Sequence, residues 1–118
     1  MVKSYRELLA WQKAIDLVES VYALTRTFPK QEQYRLVDQL TRAVVSVPSN
    51  IAEGFGRSTS KDFAHFLSQA RGSLYEVETQ LIIAQKLGFA TDVSSELSKM
   101  SELGKMINGL IRKLTPDS

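Results

Sequence analysis

No cysteine occurs in the 118 residues, which excludes a disulfide framework, a thiolate zinc site and thiol catalysis together. No apolar run approaches the roughly 20 residues needed to span a bilayer, and the first residues, Met1 to Glu7, lack the continuous apolar stretch of a signal peptide. A soluble, cytoplasmic protein without membrane association is the expectation. There is a single histidine, His65, and one histidine among scattered carboxylates is a poor metal set. An excess of charge of one sign is also missing: 15 Lys and Arg stand against 13 Asp and Glu, with no basic tail or block, so polyanion binding cannot be argued from net charge. Glu53-Gly54-Phe55-Gly56-Arg57 matches no phosphate-cradling signature and follows no strand. No period-two strand, internal repeat or low-complexity segment is present.

What remains is a chain of average globular composition, 43% hydrophobic and 24% charged, long enough for one domain (1–118) that buries its own core. Its apolar residues recur at helical spacing in four segments. The first runs from Ser4 to Arg26 through Leu8, Trp11, Ile15 and Val18, and Phe28-Pro29 ends it. The second starts near Lys30 to Glu32 and continues through Tyr34, Val37, Leu40, Val44, Val47 and Ile51 to Phe55. Pro48 lies inside it and should bend it at an isolated cost of about 3 kcal/mol, leaving the Val44 carbonyl to Ser46, Ser49 or water. The third, the longest, is capped by Ser58 to Asp62, follows Phe63, Leu67, Ala70, Leu74, Val77 and Leu81, and closes at Leu87-Gly88-Phe89. The fourth, capped at Thr91, Asp92 or Ser94, buries Leu97, Met100, Leu103, Ile107 and Leu110 and ends before Pro116. Short connections make an all-α, antiparallel up-down-up-down four-helix bundle the economical arrangement.

Two polar stripes need explaining. On the second helix Arg42, Ser46, Ser49, Glu53 and Arg57 share one face, with Gln39 and Asn50 beside them. On the third, His65, Gln69, Gly72 or Ser73, Glu76 and Gln80 do the same. The two helices are sequence neighbours across a tight turn, so the stripes are placed to meet. Ordinary solvated faces are one reading, but such faces use mixed Lys and Glu more than Arg, Asn, Gln, Ser and Gly. The reading preferred over a ligand site is a hydrogen-bonded network of Gln39, Arg42, Asn50, Glu53, Arg57, Gln69, Glu76 and Gln80, buried within the chain or facing another subunit, in which arginine forks hold the glutamates. Gly72 and Ser73 then mark close approach of another helix. An acid and base pair of Glu53 and Glu76 is disfavoured, because nearby arginines hold carboxylates ionised and no nucleophile or metal partner accompanies them. Trp11 is expected in the core.

Trp11, Phe28-Pro29, Tyr34, Gln39, Arg42-Ala43, Ser46, Asn50-Ile51-Ala52-Glu53-Gly54, Arg57, Phe63, Phe66-Leu67, Gly72-Ser73, Glu76 and Gln80-Leu81 together resemble the bacterial four-helix-bundle proteins encoded in 23S ribosomal RNA intervening sequences. The similarity covers residues 5 to 90 and extends to the accessory variability determinant protein of diversity-generating retroelements. It implies a homo-oligomer, favouring a pentameric ring, and no enzyme activity, cofactor, metal or small-molecule substrate. It also implies contact with structured RNA or DNA or a ribonucleoprotein partner through a basic surface. Lys3, Arg6, Lys13, Arg26, Lys30, Arg35 and Lys61, which no other role claims, are the candidate phosphate contacts. The alternative is a protein-assembly scaffold that touches no nucleic acid.

Overall fold

Ser4 opens the chain with a local device. Its hydroxyl accepts from the Arg6 amide at 3.1 Å, and the Glu7 carboxylate accepts from the amides of Lys3 and Ser4 at 2.8 and 2.9 Å. This capping box closes one 3-10 turn, Tyr5–Glu7, and Leu8 then turns extended (φ −72°, ψ 125°). Helix α1 therefore starts at Leu9 and runs to Thr25, one turn later than the apolar periodicity predicts. The same correction applies to the second helix. Lys30–Glu32 forms a separate 3-10 turn, the backbone breaks at Arg35 (φ −120°, ψ −105°), and α2 spans Leu36–Phe55. Tyr34 consequently leaves the apolar line expected of it and is 91% exposed.

The computed structural model describes residues 2–116, with α3 at Ser60–Lys86 and α4 at Ser94–Leu114 completing the element order. All regular structure among the described residues is helical. Helix α2 passes through Pro48 without interruption. The hydroxyls of Ser46 and Ser49 bond the carbonyls of Ala43 (2.7 Å) and Val45 (2.9 Å), and the Asn50 amide bonds the Ser46 carbonyl (2.9 Å), so none of these side chains serves Val44 as expected. Helix α3 begins at Thr59, whose hydroxyl accepts from the Asp62 amide at 3.1 Å. It ends where Gly88 adopts φ +80°, with Phe89 N–H donating to Ala84 and Gly88 N–H to Gln85, the paired bonds of a glycine-terminated helix. Phe89 then packs on Phe28, ring centres 6.0 Å apart, tying the α3–α4 connection to the end of α1. At the start of α4 the cap position is Val93, and Asp92 accepts from the Ser94 amide at 2.9 Å.

Each helix packs on its neighbours around a square: α1 on α2, α2 on α3, α3 on α4, and α4 back on α1. Lateral contacts fix the directions. Arg71 meets Asn108 and Leu74 meets Gly104 across α3 and α4, while Lys13 meets Glu102 and Ser20 meets Lys99 across α1 and α4. Rising numbers on one helix match falling numbers on the other, so the bundle is antiparallel, up-down-up-down, as expected. Its extents are 44 × 21 × 19 Å. Leu17, Leu40, Ile51, Leu67, Leu81 and Ile107 fill the axis at 1% exposure or less, each stabilising the fold by about 1.5–3 kcal/mol.

The α2–α3 seam is the closest. A Cβ at Gly54 would stand 2.6 Å from the Phe66 Cβ and 3.0 Å from the Phe63 ring, distances no packed core allows. Gly54 is thus buried in the last turn of α2, and Gly56 caps the helix. Gly72 is the opposite case. Nothing lies within 4 Å of the Cβ it lacks, so the close approach expected at Gly72 is not made by a helix of the same chain among the described residues.

Candidate interaction faces

The polar stripes flank the α2–α3 seam, and within one chain they stay open. Arg42, 80% exposed at its side chain, pairs with Asp38 at 3.2 Å, one turn back on its own helix, and not with a glutamate. Arg57 pairs with Glu53 at 3.1 Å, again within the reach of one turn, and lays its guanidinium 4.6 Å from the centre of the Phe66 ring. No hydrogen bond or ion pair of Arg42 or Arg57 reaches α3 among the described residues. Gln39, Gln69 and Glu76 are exposed, Asn50 is half-buried, and His65 meets Gln69 at 3.1 Å on the α3 surface. Gln80 alone is buried, at 8% exposure, and its Oε1 has no hydrogen-bond partner. An amide oxygen left unpaired in a core costs about 1–3 kcal/mol.

Glu53 and Glu76 are the two carboxylates of the stripes. Glu53 is ion-paired and more than half exposed, and neither carboxylate lines any of the grooves described below. Among the described residues no group of three His, Asp or Glu side chains is placed to hold a metal ion.

Grooves run along the outside of the bundle. Between α1 and α2, Trp11, Ile15, Val18, Val45, Pro48 and Ala52 line an open trough of about 300 Å³, with Tyr5 at its end. Trp11, expected in the core, sits half-buried at the wall of this trough, edge-on to Tyr5 at 5.3 Å. Its backbone position on α1 points between two helices, a rotation that periodicity does not resolve. A second, apolar groove of about 250 Å³ lies where the start of α1 meets the end of α4, lined by Leu8, Leu9, Met106, Gly109, Leu110 and Lys113. A third, of about 220 Å³, separates α3 from α4 beside Tyr75, Glu78, Gly104 and Lys105.

The alternating helix directions sort the candidate cations. Lys3 and Arg6 precede α1, Lys61 starts α3, and Arg112 and Lys113 finish α4, so all five gather at the end of the bundle where the α2–α3 turn lies. Sequence reasoning left out Arg112 and Lys113, because their sequence distance from Lys3 conceals their proximity. Arg26, Lys30 and Arg35 belong to the opposite end, and Lys13, midway along α1, is paired with Glu102 at 3.3 Å. Lys3, Arg6, Arg26, Lys30, Arg35 and Lys61 take part in no ion pair among the described residues.

The family model described as 23S rRNA-intervening sequence protein matches residues 6–109. The chain belongs to this family. No curated protein matches the chain. The intervening-sequence family model covers all four helices, including most of α4, where the sequence offers no distinctive motif. No helix among the described residues is long and apolar enough to cross a membrane.

Proposed function

We propose that the protein is a non-catalytic, self-associating helical bundle that contacts structured RNA or DNA through phosphates, by way of the cations at its ends. The observation that carries the nucleic-acid reading is the gathering of Lys3, Arg6 and Lys61 with Arg112 and Lys113 at one end, by topology and not by sequence adjacency. Unpaired lysines and arginines on a surface release counterions when they neutralise phosphates, and this drives binding without base readout. A net charge of +2 is too small to do this in one copy. A pentameric ring, the assembly favoured here, sums the charge of its copies and sets equivalent ends side by side. The cytoplasm is the proposed setting.

The test is affinity for a structured RNA across a salt series. Binding at low salt that weakens linearly in log–log form is expected, each phosphate contact contributing a slope of about 0.9 on duplex nucleic acid and about 0.7 on single strands. Lys3→Glu with Lys61→Glu should reduce both affinity and slope. Absence of binding at low salt, or binding without a salt slope, overturns the reading. A second reading is favoured by the apolar α1–α2 trough and by Tyr34 and Leu87, 91% and 62% exposed: a protein-assembly scaffold that touches no nucleic acid. It requires an oligomer in solution together with no RNA binding at any salt concentration.

A further inference from the structure

We propose that the groove between the start of α1 and the end of α4 binds a single-chain amphiphile, a medium-chain fatty carboxylate, with its tail along the groove and its head at Arg112 and Lys113. On α4, Met106, Gly109, Leu110 and Lys113 follow at steps of three, one and three, the spacing of one helix face. The start of α1 supplies the facing wall. Leu8 is extended ahead of the helix, and Leu9, the first helical residue, is left 55% exposed. Of the residues that line the groove, only Lys113 is polar.

Two features distinguish this groove from an ordinary seam between helices. Gly109 lies between Met106 and Lys113, and a Cβ there would meet only Arg112 Nη2, at 4.0 Å. No neighbouring helix therefore requires the glycine, which weakens α4 and leaves the groove open. The second feature is charge. Arg112 and Lys113 are exposed and take part in no ion pair among the described residues. Cations in a last turn complement the dipole of any helix. Here they also border an apolar groove, Lys113 as part of its lining and Arg112 beside Gly109. Apolar walls with two unpaired cations at one end are complementary to an alkyl chain that ends in one negative charge.

Size narrows the ligand further. The volume of about 250 Å³ falls just below the range of about 300–1,000 Å³ typical of drug-sized ligands, which suits a single chain. An α-helix rises about 1.5 Å per residue, so the line from Met106 to Lys113 is about 10 Å long, the reach of an octanoate or decanoate tail.

The experiment titrates the protein, labelled with carbon-13 at its methionine methyls, with sodium decanoate below the micelle concentration. Met106 lines the groove, whereas Met100, 2% exposed, lies in the core on the same helix. The Met106 methyl should shift and saturate while the Met100 methyl stays in place. Affinity should rise about fourfold for each methylene buried from hexanoate through octanoate to decanoate. Decanol, which lacks the charge, should bind about fivefold more weakly. Gly109→Leu fills the groove with a residue that favours helix, so it should melt no lower than the wild type and abolish the Met106 response. Should it fail to fold, Arg112→Glu combined with Lys113→Glu, at two exposed positions, should weaken decanoate about tenfold and leave decanol unchanged. A silent Met106 methyl, a response that spreads to Met100, equal affinity for decanol and decanoate, or binding undiminished in the folded variant overturns the site. An oligomer that comes apart in Gly109→Leu by light scattering also overturns it, because the groove is then a contact between copies. Sedimentation with phosphatidylglycerol vesicles without any response to decanoate does the same, because the groove is then a membrane contact.

Discussion

Replacing Gly54 by alanine tests how the α2–α3 seam is built. The added methyl would lie 2.6 Å from the Phe66 Cβ, 3.0 Å from Phe63 Cδ1 and 3.3 Å from the Phe63 carbonyl oxygen. Two of these atoms belong to the fixed part of α3, a Cβ and a backbone oxygen, so no flexible side-chain end can move aside. The helices must separate by several tenths of an ångström along their closest contact. Overpacking of this kind costs about 1–3 kcal/mol, and exchanging glycine for alanine inside a helix returns about 1 kcal/mol. The net expectation is a loss of up to about 2 kcal/mol, near 4 °C in melting temperature per kcal/mol for a domain of this size. Gly72→Ala is the matched control, since its methyl meets nothing within 4 Å and should stabilise the single chain by up to about 1 kcal/mol. Thermal and urea unfolding followed by circular dichroism, at a dilution where the chain is monomeric, reads both. A Gly54→Ala variant stabilised as much as Gly72→Ala would refute the close seam, and a Gly72→Ala variant that melts lower than the wild type would refute the open face.

Gln80→Leu should raise stability by about 1–3 kcal/mol, because it removes a buried carbonyl oxygen that has no partner, and a lower melting temperature would mean the amide is satisfied in the assembled protein. Arg71→Ala breaks a 2.9 Å bond to Asn108 that joins α3 to α4, and a loss of about 1–2 kcal/mol by urea unfolding is expected. Arg42→Ala and Glu53→Ala each break an exposed pair one turn apart on α2, and each should cost the single chain only about 0.3–0.5 kcal/mol. A loss of 3–5 kcal/mol in either, the penalty for stranding a buried charge, would show that assembly seals the stripe. The Ser94 backbone amide, and then its side chain, hold the Asp92 carboxyl below the usual aspartate value. A carboxylate more acidic folded than unfolded stabilises above its unfolded value, and that contribution disappears as the pH falls through the folded one. The difference in melting temperature between the wild type and Asp92→Ala should therefore be constant near neutrality and shrink below about pH 4.

The four helices, their core lines and most of their ends were legible in the sequence, because each depends on residues within a turn or two of one another. Ile51, Leu67, Leu81 and Ile107 announce themselves by spacing, and Gly88 announces its own left-handed turn. The ends that moved, at Leu8 and at Arg35, were displaced by short 3-10 turns that use the same apolar residues at a different pitch. The polar residues divide differently. Spacing put Arg42, Glu53, Gln69 and Glu76 on shared faces, but spacing describes one helix about its own axis. Whether two such faces meet depends on how far each helix is rotated toward its neighbour, and that rotation is set where the backbones touch. Gly54 against Phe66 draws α2 and α3 together, leaving the arginines to pair within α2 and closing only over Gln80. The cluster of Lys3, Arg6, Lys61, Arg112 and Lys113 is likewise a product of alternating helix direction. Local order was thus determined by the sequence alone, and which faces lie exposed was decided only by the packing of the four helices.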